Sequence, residues 1–264
     1  MIGDPIDHSL SPLIQGFWLE KCGIDAEYRR ARIGRGEFAA YLEQRRTDPN
    51  WRGCNVTMPL KLDALASADE SSDRALGAAA ANILVPQAGK LHAGNTDVGG
   101  MTTLFERLRA DGAPMDSITL IGNGGGARGA LMALRLLGLT RVQVRARDVA
   151  AAIKLAVEFG LDIEPRGLEA PIASDGLINA TPLGMRGMPP LTIDWGGMPA
   201  SGWVFDLVTT PAETALLRGA RDRELRTVTG IQMLVEQAAE SFGIFFGNEA
   251  PRDLDAELMG RLGQ

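Results

Sequence analysis

Apolar positions in this chain follow two spacings in alternation, most regularly in its middle third. Residues 118–121 form a largely apolar, β-branched run of strand character. Residues 127–137 carry apolar side chains at helical spacing and end at Gly138, a common stop just past a helix. Between them, Gly122-Asn123-Gly124-Gly125-Gly126 removes side chains where a backbone must turn tightly or approach a ligand. The alternation resumes through residues 141–160, 175–180 and 202–207, which predicts a parallel sheet with crossover helices. A strand, a glycine turn and a helix start together form a physical recipe for holding a pyrophosphate. First-turn N–H groups and the helix dipole both favour an anion there. Gly122, Gly124 and Ala127 meet the G-x-G-x-x-G/A spacing of a dinucleotide site. A purely structural turn is the alternative reading of the loop taken alone.

Residues 1–96 alternate shorter runs. Residues 11–21 read as a helix with Ser11 as cap and Pro12 in the first turn. Residues 28–33 read as a strand, 36–44 as a helix, and 53–56 as a strand leading into Thr57-Met58-Pro59 and a helix over 60–66. Residues 79–86 and 90–94 read as a hairpin with Gly89 in its turn, followed by a connecting helix over 97–110. A long amphipathic helix is predicted over 231–246. The expected division is a first domain over 1–100, joined by C-terminal helices in 229–264, and a dinucleotide domain over 101–228. The returning helices are expected to close a cleft between the two.

Composition narrows the function classes. With 264 residues, 45% hydrophobic and 23% charged, the chain is long enough for two globular domains. A net charge of −6 and the absence of a basic block argue against a nucleic-acid partner. Apolar runs are short and interrupted, which argues against a membrane span. The first residues lack a charged leader followed by an apolar segment, so the expected location is the cytoplasm. Two cysteines and two histidines, far apart, offer neither a disulfide framework nor a zinc cluster. The expected partner is a small molecule, bound by a monomer or homodimer.

Three polar segments carry candidate chemistry, and each has a bland reading of its own. Ser9 and Ser11 follow a turn, where Ser11 is equally explained as a cap. Asn55 and Thr57 precede Lys61, and a lone lysine is usually a solvated charge. Asn95-Thr96-Asp97 lies between a strand and a helix, where Asp97 also suits an N-cap. In combination they are more telling. The order Ser-x-Ser-Pro, Asn-Val-Thr-Met-Pro-Leu-Lys (55–61), Gly-Asn-Thr-Asp (94–97), glycine loop, Asn-Ala-Thr (179–181) and the segment from Gly230 to Gln237 resembles the shikimate dehydrogenase family across nearly the whole chain.

That resemblance implies an α/β fold: a substrate domain with a mixed sheet and a Rossmann-type dinucleotide domain. It implies NAD(P)-dependent interconversion of shikimate, or a related cyclic hydroxy acid such as quinate or an aminated analogue, with its 3-dehydro form. Lys61 and Asp97 are then the catalytic pair. Ser9, Ser11, Asn55, Thr57, Asn82, Asn95, Thr209 and Gln237 are the expected substrate contacts. Gly122, Asn123, Gly124, Gly125, Gly126, Ala127, Arg145, Arg147, Asp148, Asn179, Ala180, Thr181, Leu207, Gly230 and Met233 are expected to line the cofactor. The residue types suit the chemistry. Oxidising a secondary alcohol needs a proton acceptor beside the hydroxyl while hydride leaves for the nicotinamide. A ligand sensor that keeps the pocket without turnover is the rival, and retention of both Lys61 and Asp97 favours the enzyme.

Several positions depart from the family pattern. Thr209 stands where tyrosine is usual, Ile83 where threonine is common, and Gln232 where glycine is usual. Thr209 carries its hydroxyl on a shorter arm, so shikimate itself is expected to be a poor substrate. Asp148 lies about 20 residues beyond the glycines, where an acidic group accepts hydrogen bonds from the adenosine ribose and repels a 2′-phosphate. NAD is therefore the expected cofactor, with NADP as the alternative that Arg145 and Arg147 favour.

Overall fold

A computed structural model describes residues 1–161, 167–168 and 171–263. The chain divides into two compact units, one of residues 1–100 with 235–264 and one of residues 101–234.

The first unit opens with β1 (Ile2–Gly3), α1 (Ser11–Cys22), β2 (Ala31–Arg32), α2 (Arg35–Arg46) and β3 (Cys54–Asn55). It continues with α3 (Lys61–Ala66), β4 (Glu70–Ser71), α4 (Asp73–Ala78), β5 (Ile83–Gln87) and β6 (Lys90–Gly94). Four strands lie in the order β3-β5-β6-β4, antiparallel except where β4 runs parallel to β6. β1 pairs in parallel with β2, and Ile2 bridges to Val56 beyond β3, so the short strands extend one mixed sheet. Phe38 and Leu42 of α2 pack with Ala64 of α3 against Val56, Leu84 and Leu91, which supplies the unit's core. The predicted hairpin is present, but residues 79–82 are not strand. Ala79 takes a left-handed conformation (φ 47°) that closes α4, which six residues are too few to reveal by periodicity. Ser11 is not the cap of α1. Leu10 holds that position, and the Ser9 hydroxyl instead accepts the Ser11 N–H at 3.3 Å.

α5 (Thr96–Ala110) leads into the second unit, which holds β7 (Ile118–Ile121), α6 (Gly125–Leu136), β8 (Val142–Arg145) and α7 (Val149–Phe159). Then follow β9 (Gly176–Asn179), β10 (Trp203–Asp206), α8 (Ala215–Arg221) and β11 (Arg226–Val228). The five strands are all parallel, in the order β11-β10-β9-β7-β8. The first and third strands of the unit are thus neighbours, and chain connections diverge above their carboxyl ends. Such a switch point is where parallel α/β sheets leave a crevice. Trp203 is fully buried and lies flat on Gly176, where an added Cβ would come within 2.1 Å of the indole.

α9 (Gly230–Phe246) returns the chain to the first unit, followed by α10 (Asp255–Arg261). Gln232 acquires a reason here. Its Oε1 accepts the Thr229 N–H at 2.8 Å while the Thr229 hydroxyl accepts the Gln232 N–H at 3.2 Å, a reciprocal cap on α9. No helix among the described residues is long and apolar enough to cross a membrane. No cluster of His, Cys, Asp and Glu that could hold a metal ion occurs among them.

Candidate active site

In the first unit, Lys61 opens α3 and Asp97 lies in the first turn of α5. Lys61 Nζ donates to Asp97 Oδ2 at 2.5 Å, and only 16% and 11% of the two side chains are exposed. The other carboxylate oxygen, Oδ1, accepts from Asn82 Nδ2 at 2.8 Å. Asn82 is held in turn, since its Oδ1 accepts the Thr96 N–H at 2.7 Å and its Nδ2 also donates to Thr96 Oγ1 at 2.9 Å. Gln237 on α9 is buried with its Oε1 3.4 Å from Thr96 Oγ1. Thr57 is half-buried, its hydroxyl without a protein partner among the described residues, while Ser11 is buried and Ser9 half-buried. The arrangement presents a charge pair with the Asn82 amide on it and Thr96 and Gln237 behind that amide.

Two expected substrate contacts are themselves bonded within the protein. Asn55 donates to Ser241 Oγ at 2.8 Å and to the Asn82 carbonyl at 3.3 Å, and accepts from the Tyr28 hydroxyl at 2.6 Å. Burial pushes the Tyr28 phenol far up, so it serves as that bond's donor. Asn95 caps α5, accepting the Val98 N–H at 3.2 Å and donating to the Ala80 carbonyl at 2.8 Å. Both amides thus have protein partners that hold them in place. Thr96, Ser241 and Tyr28 were not singled out in the sequence, although Thr96 lies within the Gly-Asn-Thr-Asp segment. Ile83 is buried, with its side chain over Gly94.

The second unit offers a different surface. Gly122 takes φ +121°, and a Cβ there would lie 2.9 Å from the Ala180 carbonyl oxygen, so only glycine lets the turn pass beside residues 179–181. Asn123 and Gly124 are exposed, and Gly125 and Gly126 half-buried. Gly124 caps α6 with no side chain satisfying the first-turn N–H groups, and space lies open where its Cβ would be. An uncapped helix N-terminus with an unobstructed glycine fits the pyrophosphate of a dinucleotide. Gly126 lets Leu207 approach, its absent Cβ lying 3.1 Å from a Leu207 methyl, and Ala127 is buried. Asn179 ties the adjacent loops together. It accepts from Thr181 Oγ1 at 2.7 Å and donates to Asp206 Oδ1 at 2.9 Å. Asp206 also accepts from Thr214 at 2.6 Å, yet burial raises its carboxyl above the usual range. Thr209 is half-buried just past β10, and Met233 is buried in α9.

Three expected cofactor residues have other work. Arg145 is fully buried, its guanidinium donating to Gln143 Oε1 at 2.7 Å and the Pro171 carbonyl at 2.5 Å. Asp148 caps α7, accepting the Ala151 N–H at 3.1 Å. Gly230 is required by packing, since a Cβ there would sit 2.3 Å from the Val208 carbonyl oxygen. Arg147 stays exposed at the end of β8.

A parallel sheet with a glycine turn at its switch point, joined in one chain to a mixed-sheet unit bearing a buried lysine–aspartate pair, defines a two-unit α/β protein of Rossmann type. Residues 1–84 match the family model described as the shikimate dehydrogenase substrate binding domain, and residues 230–259 that of the shikimate 5′-dehydrogenase C-terminal domain. A relative in Sphingopyxis alaskensis, shikimate dehydrogenase (NADP(+)), is 42% identical over 99% of this chain and 95% of its own length. The same-named protein of Caulobacter vibrioides is 38% identical over 97% of this chain and 92% of its own. Shikimate 5-dehydrogenase of Thermus thermophilus, solved with NADP(H) and shikimate, superposes with a TM-score of 0.87 at 34% identity, covering 99% of this chain and 97% of that one. Quinate dehydrogenase of Corynebacterium glutamicum, solved with NAD, gives 0.87 at 30% identity, covering 98% and 96%. The chain belongs to the shikimate dehydrogenase family. The expected NAD preference finds no support in the curated relatives, which are named for NADP(+), and Asp148 is occupied as a cap.

Proposed function

We propose that this protein interconverts shikimate and its 3-dehydro form with NADP(H). The observation that carries the reading is the buried Lys61–Asp97 pair, 2.5 Å apart, with Asn82 on the second carboxylate oxygen. Relatives named as NADP(+)-dependent shikimate dehydrogenases, matched over nearly the full chain, support the substrate and cofactor.

In the oxidative direction, Lys61 acts as the neutral amine and takes the proton from the substrate hydroxyl as the carbinol C–H bond breaks and the carbonyl forms, which leaves the ammonium–carboxylate pair with Asp97. Asp97 holds Nζ in place and stabilises the resulting ammonium. In the reverse direction Lys61 returns the proton to the nascent alkoxide. When bound, the nicotinamide supplies the hydride acceptor or donor. The hydroxyls of Ser9 and Ser11 receive the substrate carboxylate, and Thr57 and Gln237 receive ring hydroxyls. Asn82 acts on the substrate side chiefly by holding Asp97. For the cofactor, the uncapped turn at Gly124 to Gly126 receives the pyrophosphate, and Arg147 is the available cation for a ribose 2′-phosphate. Thr209 alone argues that shikimate is a poor substrate, and the relatives named as shikimate dehydrogenases, matched over nearly the full chain, support shikimate against it.

The test is absorbance at the reduced-nicotinamide band with shikimate, quinate and an aminated analogue, each with NADP+ and NAD+. Shikimate with NADP+ is expected to give the highest kcat/KM. Faster turnover of quinate or of NAD+ overturns the substrate or cofactor assignment. Tight shikimate binding without turnover makes the protein a sensor.

A further inference from the structure

We propose that Ser241 is a positioning residue for the Lys61–Asp97 pair, acting through Thr96 and Asn82. The inference rests on the reading of that pair as the acid–base machinery. It follows from counting protons in a fully buried network. Ser241 and Thr96 are both completely excluded from solvent. Ser241 Oγ lies 2.9 Å from the Gln237 carbonyl oxygen, which can only accept, so the single hydroxyl proton goes there. Asn55 Nδ2 donates to one Ser241 lone pair at 2.8 Å. The 3.1 Å contact between the two hydroxyls must then be Thr96 donating to Ser241.

That assignment fixes the next link. With its proton committed to Ser241, Thr96 Oγ1 is left as the acceptor for one Asn82 amide proton at 2.9 Å. The other Asn82 proton is directed at Asp97 Oδ1 at 2.8 Å. The Asn82 amide cannot be reversed, because its Oδ1 already accepts the Thr96 N–H at 2.7 Å. The two hydroxyl protons thus run one way, from Thr96 to Ser241 and from Ser241 to the Gln237 carbonyl, while Asn82 donates to Thr96 on one side and to Asp97 on the other. Gly99 and Gly100 make the approach of α9 possible. A Cβ on Gly100 would come within 2.9 Å of the Gln237 N, and one on Gly99 within van der Waals overlap of Glu240. Without Ser241, the remaining acceptors for the Thr96 proton are Asn82 Oδ1 at 3.3 Å and Gln237 Oε1 at 3.4 Å, both long. Thr96 then swings, the Asn82 amide loses its fixed acceptor, and Asp97 loses a defined orientation toward Lys61.

The experiment compares Ser241→Ala, Thr96→Val and their double variant with Thr96→Ser, which keeps the hydroxyl. Circular dichroism and the melting temperature count the folded protein in each preparation, with NADP+ binding as a second readout. Ser241→Ala and Thr96→Val are each expected to lower kcat by roughly tenfold, with the KM for shikimate changed by no more than about twofold. The KM for NADP+ stays at the parent value. The double variant is expected to be no slower than the slower single, because both remove one chain, and Thr96→Ser retains most of the parent kcat. Parent-like kcat in folded Ser241→Ala overturns the proposal, as does a loss confined to KM. Multiplicative losses in the double variant also overturn it, as does failure of Thr96→Ser to retain kcat. If Lys61→Ala keeps parent activity, the acid–base reading itself has failed, a separate result.

Discussion

The two units prepare for ligands by opposite means. Around Gly122 to Gly126 the protein acts by withholding side chains, and what remains is backbone N–H groups at an uncapped helix end. Around Lys61 and Asp97 it acts by supplying them, and nearly every polar atom is matched to another. The first kind of site tolerates change in its neighbours and fails when anything is added. The second fails when anything is removed, because a buried group left without its partner loses free energy on its own account.

The sharpest break in that contrast is removal of Lys61. Lys61→Ala is expected to lower kcat by about 10²–10⁴-fold while the KM for NADP+ stays within twofold or so, measured by steady-state kinetics. A variant with parent kcat would sink the assignment. The complementary break is an addition, Gly122→Ala. A methyl 2.9 Å from the Ala180 carbonyl at a φ of +121° forces the turn to shift. Cofactor affinity is expected to fall by roughly tenfold or more, with a lower melting temperature, the strain being of order 1–3 kcal/mol. Unchanged NADP+ titration would show that the turn holds nothing.

Two smaller effects separate cofactor contact from helix capping at the end of β8. Arg147→Ala is expected to raise the KM for NADP+ by roughly five- to tenfold and leave NAD+ kinetics alone, since the side chain is exposed and its charge partly screened. Asp148→Ala is expected to lower stability by about 1 kcal/mol through loss of the α7 cap, with Asp148→Asn near the parent. A changed NAD+ to NADP+ ratio in Asp148→Asn would return that residue to the cofactor. The smallest effect lies away from both sites. Arg128 donates to both oxygens of Glu158, at 2.5 and 2.8 Å, and holds its carboxyl below the ordinary range. Protons then bind the unfolded chain more tightly than the folded one, so this contribution is complete above the ordinary glutamate value and is lost as pH falls through the lowered one. Glu158→Gln should flatten that part of the melting-temperature profile in acid, and a profile of unchanged slope would show that the pair adds nothing.

How far each region is legible in sequence follows the same contrast. Four strands of the parallel sheet and the turn are written locally, in runs of four to twelve residues that periodicity and glycine spacing report directly, while the three-residue edge strand β11 is too short to be read that way. Lys61, Asp97 and Asn82 were reached only through resemblance to a family, since each alone reads as a surface charge, a cap or a strand end. Their supports were less visible still. Asn55 meets Ser241 across 186 residues and Thr96 meets it across 145, and no local pattern encodes such a pairing. Asp148 is ambiguous in sequence because two physical demands, accepting from a ribose and accepting from a first-turn N–H, select the same side chain at nearly the same place. Gln232 shows the reverse. Its Thr-x-x-Gln spacing was present in the sequence as a capping signal and was read only as a missing glycine.

The discontinuity of the first unit also sets an order of assembly. On a ribosome, residues 101–234 emerge as one uninterrupted stretch whose sheet contacts are complete before residue 235 appears. Residues 1–100 emerge earlier yet wait longer, because the helix that delivers Gln237 and Ser241 is made only after the whole parallel sheet. During that interval Asn55 and Thr96 have no α9 to bond, and apolar side chains destined to meet α9 stand open to other chains. The parallel sheet therefore stands ready as a completed neighbour while its older companion is still unfinished, and slow translation or scarce chaperone should be felt first in the older one.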